Sequence, residues 1–376
     1  MPCAEAASPH PSPAPAGRLL RVDLADRSYD IHFGPGLLAR ALPLVADVVR
    51  PSRAFVITHP ALQRLHGAAL LGPAAFPLDV LLVPPGERQK SLRRASRLYD
   101  QLLAGNADRR SVVIAFGGGV IGDLAGFVAA TFMRGLPYVQ VPTTLLAQVD
   151  SSVGGKVAVD HPGAKNLIGA FHQPRLVVAD SGVLRTLPAR DYRAGLAEVV
   201  KHAVIADSDL FLWLQRTVAP LSRRDPAAVA HVVRRSCEIK AHVVRRDERE
   251  AGLRAVLNLG HTVGHALEAV TGYRTLRHGE AVSIGLVAAS RLARDRGLLP
   301  PGPAEEVERL LAAFRLPTRV PQCPLPALLA AMRADKKAAA GVPRFVLPRA
   351  IGRVDIGVEV PEHAVANVLL ALGATP

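Results

Sequence analysis

The sequence predicts two halves of different class: an α/β N-terminal half with a doubly wound, largely parallel sheet, and a mostly α-helical C-terminal half. Through about the first 180 residues, short apolar runs of β-type residues alternate with stretches of helical periodicity, which is the pattern of βαβ units. After about residue 185, long stretches rich in Ala, Leu, Val and Arg replace the strands. A chain of 376 residues, 49% of them hydrophobic, can form two domains with sizeable cores.

The predicted elements follow in chain order. In the N-terminal half the predicted strands are 20–24, 54–57, 79–83, 112–116, 138–141 and 176–179, and the clearest helices between them are 92–103 and 122–132. In the C-terminal half the predicted helices are 192–205, 227–246, 262–271, 281–295 and 304–314, followed by a strand-like run at 344–347. We therefore expect domains at 19–182 and 183–376, after a disordered Pro/Ala-rich tail at 1–18.

The chain is strongly basic, with 46 Lys and Arg against 32 Asp and Glu and a formal net charge of +14. Such an excess suits nucleic acid, a membrane surface or an anionic small substrate. The basic residues come as scattered pairs, such as Arg109-Arg110, and no aromatic residues are interleaved with them. Because single-stranded nucleic-acid grooves use aromatic side chains for stacking, we expect a small anionic substrate and no nucleic-acid partner.

Export and membrane signals are missing from the pattern of this sequence. No apolar run reaches the roughly 20 residues that a membrane-spanning helix needs, and the N-terminal tail lacks the apolar core of a signal peptide. The three cysteines, Cys3, Cys237 and Cys323, are far apart and form no CxxC pair. We therefore expect no membrane partner, no disulfide framework and a cytoplasmic, reducing location.

The first chemical motif is a glycine-rich turn at 117–123 (GGGVIGD), which follows the predicted strand 112–116 and opens a helix. Glycines let the backbone approach a pyrophosphate, and a helix N-terminus supplies N–H groups and a positive dipole end. This context predicts a Rossmann-like nucleotide-binding domain, and a tight glycine-rich turn is the alternative. The acid that usually binds the ribose about 20 residues later is not evident. Asp123 stands where it would oppose a phosphate, although it could cap the helix.

A second motif combines hydroxyls, glycines and lysines. A predicted strand ends in the hydroxyl pair Thr143-Thr144, and the run SSVGGK ends at Lys156, ahead of the pair Lys165-Asn166. Ser, Gly and Lys together can make a phosphate cradle. The spacing is not that of a Walker A loop, and an ordinary loop with solvent-facing lysines is the alternative.

A third motif pairs opposite charges within an apolar stretch. Glu198 and Lys201 lie three residues apart, so a helix would present both on one face. Their neighbours are almost wholly apolar, which predicts a buried helix. Buried charges need partners, a metal ion or a substrate, and a surface ion pair is the alternative.

Three histidines, His261, His265 and His278, fall within 18 residues of sequence. His261 and His265 are one helical turn apart, beside glycines that permit close approach. With a distant carboxylate such as Glu198, the cluster would complete a three-ligand catalytic zinc site with an open position. The spacing alone favours His261 and His265 as the helical ligand pair, and structural histidines are the alternative.

The C-terminal half also carries cations that could bind a carboxylate or a phosphate. They are Lys240, Arg254 and the pair Lys336-Lys337, which follows Asp335. Taken singly, each of them is better explained as part of a solvated basic loop.

Taken together, these motifs resemble the 3-dehydroquinate synthase family of the sugar phosphate cyclases, over about residues 29–351. The most specific stretches are GGGVIGDLAG at 117–126, VPTTLLAQVDSSVGGK at 141–156, KNLIGAF at 165–171, GLAEVVK at 195–201, NLGHTVGH at 258–265, HGEAV at 278–282 and DKK at 335–337. Several long motifs in the same order along the chain are stronger evidence for the family than any single motif.

The resemblance implies a carbon–oxygen lyase of the shikimate pathway, which leads through chorismate to the aromatic amino acids. Such enzymes convert 3-deoxy-D-arabino-heptulosonate 7-phosphate (DAHP) to 3-dehydroquinate and phosphate. They use NAD catalytically and one divalent metal ion, zinc or cobalt. The implied steps are transient oxidation of an alcohol, elimination of phosphate, re-reduction, ring opening and aldol closure, so no net redox change occurs.

The resemblance also implies a role for each matching position. The implied metal ligands are Glu198, His261 and His278, so that His265 becomes a substrate-site histidine that relays protons and meets the phosphate. The implied phosphate binders are Lys156, Asn166 and Lys201, joined by Arg134 from the neighbouring subunit of a homodimer. The groups implied around the substrate carboxylate and hydroxyls are Lys240, Arg254, Asn258 and one of Lys336 and Lys337. The implied nucleotide contacts are Gly86, Glu87, Lys90, Gly119, Val120, Ile121, Gly122, Asp123, Thr143, Thr144, Asp150, Lys156, Lys165, Val183, Leu184, Arg185 and Thr186.

The chain departs from common family forms at Val157, Asp160, Ala164 and Pro85. These departures leave open a specialised cyclase of secondary metabolism that makes an aminated quinate precursor, an inosose or a valiolone. Lys240 and Arg254 argue against substrates that lack a carboxylate. A further alternative is a metal-dependent NAD alcohol dehydrogenase, which would produce NADH.

Overall fold

The computed structural model describes residues 18–334 and 343–376. In this part of the chain the strands are β1 (Arg18–Val22), β2 (Tyr29–Gly34), β3 (Ala54–Thr58), β4 (Leu78–Leu82), β5 (Val112–Gly117), β6 (Tyr138–Pro142), β7 (Lys156–His161), β8 (Ala164–Phe171), β9 (Leu176–Asp180), β10 (Arg344–Ala350) and β11 (Arg353–Glu359). Of the predicted tail at 1–18, residues 1–17 lie outside the described residues and Arg18 begins β1; the pair Lys336-Lys337 also lies outside them.

The helices of the N-terminal half are α1 (Leu38–Val49), α2 (Pro60–Leu70), α3 (Leu92–Ala104) and α4 (Gly119–Thr131). Those of the C-terminal half are α5 (Ala189–Ala206), α6 (Ser208–Arg216), α7 (Val218–Ser222), α8 (Pro226–Arg246), α9 (His261–Val270), α10 (His278–Asp295), α11 (Pro301–Ala313), α12 (Leu325–Arg333) and α13 (Glu362–Leu372). Every element that the sequence predicts is present, with its ends within about three residues of the predicted ones. The helix-rich C-terminal half is confirmed.

Within the described residues, seven strands form one sheet in the order β1-β2-β9-β6-β5-β3-β4. Neighbouring strands run parallel except for the antiparallel edge pair β1 and β2. The inner strands β3, β5, β6 and β9 are buried along their whole length, because parallel sheets are covered on both faces. The predicted doubly wound, largely parallel sheet is therefore confirmed.

Two features of the N-terminal half were missed because they contain no continuous apolar run. In β2, polar residues separate the buried Tyr29, Ile31 and Phe33. The antiparallel hairpin of β7 and β8 is largely polar and buries Val157 and Val159 against α4. A Cβ at Gly126 of α4 would come within 2.3 Å of Val157, so that glycine allows the hairpin to pack closely. The predicted phosphate-cradle lysines therefore lie on a hairpin rather than in an irregular loop.

The C-terminal half is organised around α5. Thirteen of its 18 residues are buried, and it packs against α8, α10 and α6. This confirms the predicted buried helix around Glu198 and Lys201. One large core joins these helices to one face of the sheet, and the opposite face is covered by α3, α4 and the hairpin of β7 and β8.

The expectations on disulfides and membrane spans can be compared with the described cysteines and helices. Cys237 and Cys323 carry free, buried thiols, and Cys3 lies outside the described residues. Among the described helices, none combines the length and the apolar character needed to cross a bilayer.

Candidate active site

A cavity of about 450 Å³ opens where the carboxyl ends of the parallel strands meet the helices of the C-terminal half. Its polar lining consists of Asp123, Asp150, Ser151, Lys156, Asn166, Lys201, Lys240, Glu250, Arg254, Asn258, His261, His265 and His278. Residues from both halves therefore meet in one place. Parallel α/β sheets bind ligands at this edge, in the crevice outside the strand ends.

Three helices bring one carboxylate and two imidazoles together at the wall of this cavity, with the imidazoles on its surface and the carboxylate behind them. Glu198 is fully buried in the middle of α5, and His261 and His278 are the first residues of α9 and α10. Glu198 Oε1 lies 3.7 Å from Nε2 of His261 and 3.5 Å from Nε2 of His278. One ligand atom from each of the three residues lies within 4.8 Å of the others.

Close helix crossings make this convergence possible. A Cβ at Gly279, next to His278, would come within 1.9 Å of the Ala194 carbonyl oxygen on α5. A Cβ at Gly285 would meet the Gly260 carbonyl oxygen at the same distance. Gly260, which immediately precedes His261, has a φ of +78°, a conformation that glycine adopts without strain. These contacts set where α9 and α10 begin relative to Glu198.

The three residues fit a divalent metal ion. His261 Nδ1 lies 3.1 Å from the Leu259 carbonyl oxygen, so Nδ1 donates and Nε2 keeps its lone pair toward Glu198. His278 Nδ1 lies 3.2 Å from Glu268 Oε2. Both carboxylate oxygens of Glu198 are buried: Oε2 contacts the Lys201 ammonium, and Oε1 faces the two imidazoles. Two imidazoles and a carboxylate facing an open cavity are the donor set of a catalytic zinc site.

The protonation of these groups follows from burial and charge. Burial alone would raise the pKa of Glu198, but the Lys201 ammonium outweighs it and holds that pKa well below its ordinary value. Burial, with Lys201, holds the pKa of His261 well below its ordinary value. For His278 burial is outweighed by Glu198 and Glu268, which raise its pKa to about 10. A divalent ion therefore has to displace a proton from His278.

A second group, Asp150, Glu198 and His202, also brings its ligand atoms within 4.8 Å. Lys240 Nζ donates to Asp150 Oδ1 at 2.8 Å, and Lys201 Nζ lies 3.9 Å from the same oxygen. Two ammonium groups oppose a dication at Asp150, whereas one, that of Lys201, lies against Glu198. The first group, with its two imidazoles, is therefore the better candidate for a metal ion.

Asp150 holds two of the predicted cations in the cavity. It lies in a π-helical turn, Ala147–Ser151, a feature that is common at functional sites. Burial would raise its pKa, but Lys240 and Lys201 outweigh burial and hold the pKa well below its ordinary value. In turn, burial opposes the charge of Lys201, and Glu198 and Asp150 outweigh burial to raise its pKa. Lys201 is therefore a buried, charged ammonium group.

Glu250 is a site residue that the sequence analysis missed. It pairs with the Lys156 ammonium, and its Oε1 accepts a hydrogen bond from Asn258 Nδ2 at 3.1 Å. Arg254, only 1% exposed, donates to the Gly154 carbonyl oxygen at 3.0 Å. Glu250 belongs to the run DERE at 247–250, which reads as exposed surface. Only the spatial approach to Lys156 distinguishes it from its neighbours.

Several of the predicted nucleotide contacts lie at the carboxyl ends of β5, β6 and β9. Gly118, which has no side chain, is the N-cap of α4 after β5. Thr143 and Thr144 follow β6, and residues 183–186 lie in the turn after β9. A Cβ at Gly118 would come within 2.9 Å of the Thr144 side chain, so a larger residue there would force Thr144 to move. A helix N-terminus with a glycine cap at these strand ends fits a dinucleotide pyrophosphate.

Asp123 does not cap the helix, the alternative that the sequence left open. Helix α4 begins at Gly119, so Asp123 lies inside the helix. It pairs with Lys90, whose ammonium also contacts Asn166 Oδ1. Burial raises the pKa of Asp123, and Lys90 opposes that shift. Lys90 thus connects the predicted nucleotide site to a predicted phosphate binder.

Some predicted residues lie away from the cavity or beyond the description. Lys165 pairs with Glu87 at 3.0 Å and stacks over Tyr273. Arg134 is not among the described residues that line the cavity, and its φ of +67° places it in a tight turn after α4. Lys336 and Lys337 lie outside the described residues.

Comparisons with known families and proteins agree with this arrangement. Residues 80–194 match the family model described as 3-dehydroquinate synthase N-terminal, and residues 195–338 match 3-dehydroquinate synthase C-terminal. The chain is 50% identical over 349 residues to a curated 3-dehydroquinate synthase of Halorhodospira halophila, covering 93% of this chain and 98% of that protein. It is 47% identical over 354 residues to that of Desulforamulus reducens, covering 93% and 99%.

Solved structures give the same fold. ValA, a 2-epi-5-epi-valiolone synthase from Streptomyces hygroscopicus with NAD⁺ and Zn²⁺ bound, has a TM-score of 0.84 at 30% identity and covers 92% of this chain and 96% of that chain. A 2-deoxy-scyllo-inosose synthase has a TM-score of 0.84 at 24% identity, covering 94% and 99%; this second likeness concerns the fold. Sequence identity over nearly the whole chain and both family matches agree, and the chain therefore belongs to the 3-dehydroquinate synthase family.

Proposed function

We propose that this chain converts DAHP to 3-dehydroquinate and phosphate, as a carbon–oxygen lyase. The observation that carries the proposal is a cavity lined by His261 and His278, which group with Glu198 behind them, and by buried lysine and arginine side chains. A dication next to several cations suits a substrate with hydroxyls, a carboxylate and a dianionic phosphate. The 50% identity to a curated 3-dehydroquinate synthase over 93% of the chain supports the same reaction.

One divalent metal ion and NAD are the cofactors in this proposal. The similar ValA structure contains NAD⁺ and Zn²⁺. Glu198, His261 and His278 would hold the ion, and the turns after β5, β6 and β9 would hold the nucleotide. When bound, the ion polarises substrate hydroxyls, and the nicotinamide takes up a hydride and returns it.

The phosphate of the substrate is assigned to the hairpin side of the cavity. Lys156 lies at the start of β7, where its exchange of Glu250 for a phosphate would keep its ammonium paired. Lys90 Nζ can only donate, so its contact with Asn166 Oδ1 leaves the NH₂ end of that amide to donate to an anion. Lys201 and His265 line the same cavity.

The carboxylate of the substrate is assigned to Lys240, Arg254, Asn258 and one of Lys336 and Lys337. Hydrogen bonds to the backbone fix the Arg254 guanidinium, and Asp150 fixes the Lys240 ammonium. Rigid cations lose little conformational freedom when an anion binds. This set favours a sugar phosphate that carries a carboxylate over one that lacks it. The amino analogue of DAHP is therefore the second candidate substrate.

The test is an assay with DAHP, a catalytic amount of NAD, and Zn²⁺. We expect phosphate release to equal DAHP consumption, 3-dehydroquinate as the product by mass spectrometry, and no net rise in NADH absorbance. The control substrate is a heptulose 7-phosphate without the carboxylate, which should turn over far more slowly. Net NADH formation would support an alcohol dehydrogenase instead. Faster turnover of the control substrate would support a specialised cyclase.

We also propose that two copies of the chain share their active sites through Arg134. Arg134 lies in the turn that follows α4, where Met133 and Arg134 have positive φ. It is not among the described residues that line the cavity of its own chain. A cation supplied across a two-fold interface would complete the phosphate site of the second copy.

A further inference from the structure

We propose that Glu268 is a positioning residue for the metal ion, because it fixes the orientation and the tautomer of His278. This inference rests on the metal site of the proposed function. It concerns a residue that contacts neither the proposed substrate nor the ion itself. The carboxylate acts through the imidazole that it holds.

The geometry places the His278 ring between two carboxylates. Its Nδ1 lies 3.2 Å from Glu268 Oε2, and its Nε2 lies 3.5 Å from Glu198 Oε1. An ionised carboxylate can only accept, so Nδ1 must carry the proton in that hydrogen bond. With Nδ1 engaged in this way, Nε2 is the ring nitrogen that is left to bind the ion.

Helix α9 presents Glu268 at the right place. His261, His265 and Glu268 are spaced by four and then three residues, so they share one face of α9. Glu268 is 8% exposed, and a carboxylate that deeply buried needs a partner. The structure supplies His278, at the N-terminus of α10, as that partner.

The two proposed imidazole ligands have unequal outer partners. His261 Nδ1 faces the neutral carbonyl oxygen of Leu259, whereas His278 Nδ1 faces an anion. A carboxylate partner makes an imidazole a more basic ligand than a carbonyl partner does. Glu268 should therefore raise the affinity for the ion in two ways: it orients the His278 ring, and its negative charge makes that ring a stronger ligand.

The experiment compares Glu268→Ala and Glu268→Gln with the unsubstituted protein. Zn²⁺ affinity is measured by competition with a chelator of known affinity, and Co²⁺ is used as a spectroscopic probe of ligand geometry. Loss of such an outer partner weakens metal binding by about 10–100-fold. We expect E268A to lose Zn²⁺ affinity at the upper end of that range and to show an altered Co²⁺ spectrum. E268Q should lose less and keep the spectrum, because its amide oxygen still accepts from Nδ1.

The matched control is Glu308→Gln. Glu308 forms a half-buried pair with Arg291 between α10 and α11 at 2.8 Å, remote from the proposed ligands, and its loss should leave Zn²⁺ affinity unchanged. E268Q keeps the shape of the side chain and carries the test if E268A fails to fold. Unchanged Zn²⁺ affinity in folded E268A or E268Q would overturn the positioning role alone. If the unsubstituted protein bound no Zn²⁺, or bound it equally in His261→Ala, the metal site of the proposed function would fall, and this inference with it.

Discussion

At the residue scale, the cavity holds its cations in place with its own carboxylates. Asp150 orients Lys201 and Lys240, Glu198 pairs with Lys201, and Glu250 pairs with Lys156. Buried charges are costly unless they are paired. These carboxylates therefore orient the cations of the cavity before an anionic substrate binds.

The first prediction separates the proposed ligands from the neighbouring histidine. His261→Ala removes one of three ligands and should reduce Zn²⁺ binding to below one ion per chain, with loss of turnover. His265→Ala is the control, because His265 lies outside the group of ligand atoms; it should keep the ion and lose turnover by about 10²-fold or more. Metal analysis after dialysis and the phosphate assay give both readouts. Full Zn²⁺ retention in H261A would contradict the assignment.

The choice between these histidines shows where residue spacing stops being informative. Spacing on a helix favours His261 with His265, and the family resemblance instead matches His261 with His278. The structure brings Glu198, His261 and His278 together. The third ligand is decided by how the first turn of α10 packs on α5 and α9. That packing is a tertiary contact, which the helical period of a sequence does not encode. Glu250 and Glu268 were missed for the same reason.

The second prediction concerns the pH dependence of stability. His202 is fully buried on α5, and burial lowers its pKa below the ordinary value of 6.5. Below about pH 6.5 the unfolded chain binds a proton at this residue that the folded chain does not bind, so the free energy of unfolding falls as pH falls. His202→Gln should flatten that dependence between pH 7.5 and pH 5. Urea unfolding in the presence of a chelator measures it, and equal pH dependence in both proteins would rule out a buried neutral His202.

At the element scale, the site depends on the crossing of α9 and α10. Gly285 lets α10 approach the carbonyl oxygen of Gly260, the residue before His261. Both helices begin with a proposed ligand, so their relative position fixes the distance between His261 and His278. The helix ends are thus part of the site.

The third prediction tests this crossing. Gly285→Ala would place a Cβ 1.9 Å from the Gly260 carbonyl oxygen. We expect this clash to lower the free energy of unfolding by about 3 kcal/mol or more. Gly302→Ala is the control, because a Cβ on Gly302 in α11 meets nothing within 4 Å; it should be neutral or add about 0.5 kcal/mol. Urea unfolding compares the two. Similar stabilities for both variants would show that the crossing is looser than described.

The elements themselves were predictable to different degrees. Buried strands such as β5 and β6 are continuous apolar runs, and α5 and α8 have a clear helical period, so their sequences identify them. The hairpin of β7 and β8 was missed because its outward face carries Lys156, Lys165 and Asn166. Polar residues retained for a site obscure the alternation that marks a strand.

At the scale of the whole molecule, the cavity is lined by residues of both halves of the chain. The cavity itself joins the strand ends to the helices of the C-terminal half. The boundary at 182/183 and the shared site remain predictions. The large core that continues from the sheet into the C-terminal helices indicates that the halves pack extensively.

The fourth prediction tests the shared site. Arg134→Ala should raise KM for DAHP at least about tenfold, because a phosphate loses one charge-assisted contact. Mixing R134A with inactive H261A should restore activity, since one of the two sites in a mixed dimer would have both groups. Each variant alone, carried through the same unfolding and refolding, is the control. An absence of rescue in verified mixed dimers would count against a site completed across the interface.

The most direct test of the whole proposal is the position of the metal ion. A crystal of the protein grown with Zn²⁺ and NAD would locate the ion by anomalous scattering at the zinc edge. We predict one strong peak about 2.0–2.2 Å from a Glu198 oxygen and from Nε2 of His261 and His278, facing the nicotinamide across the cavity. A peak bound by Asp150 and His202, or no peak near Glu198, would contradict the proposed site.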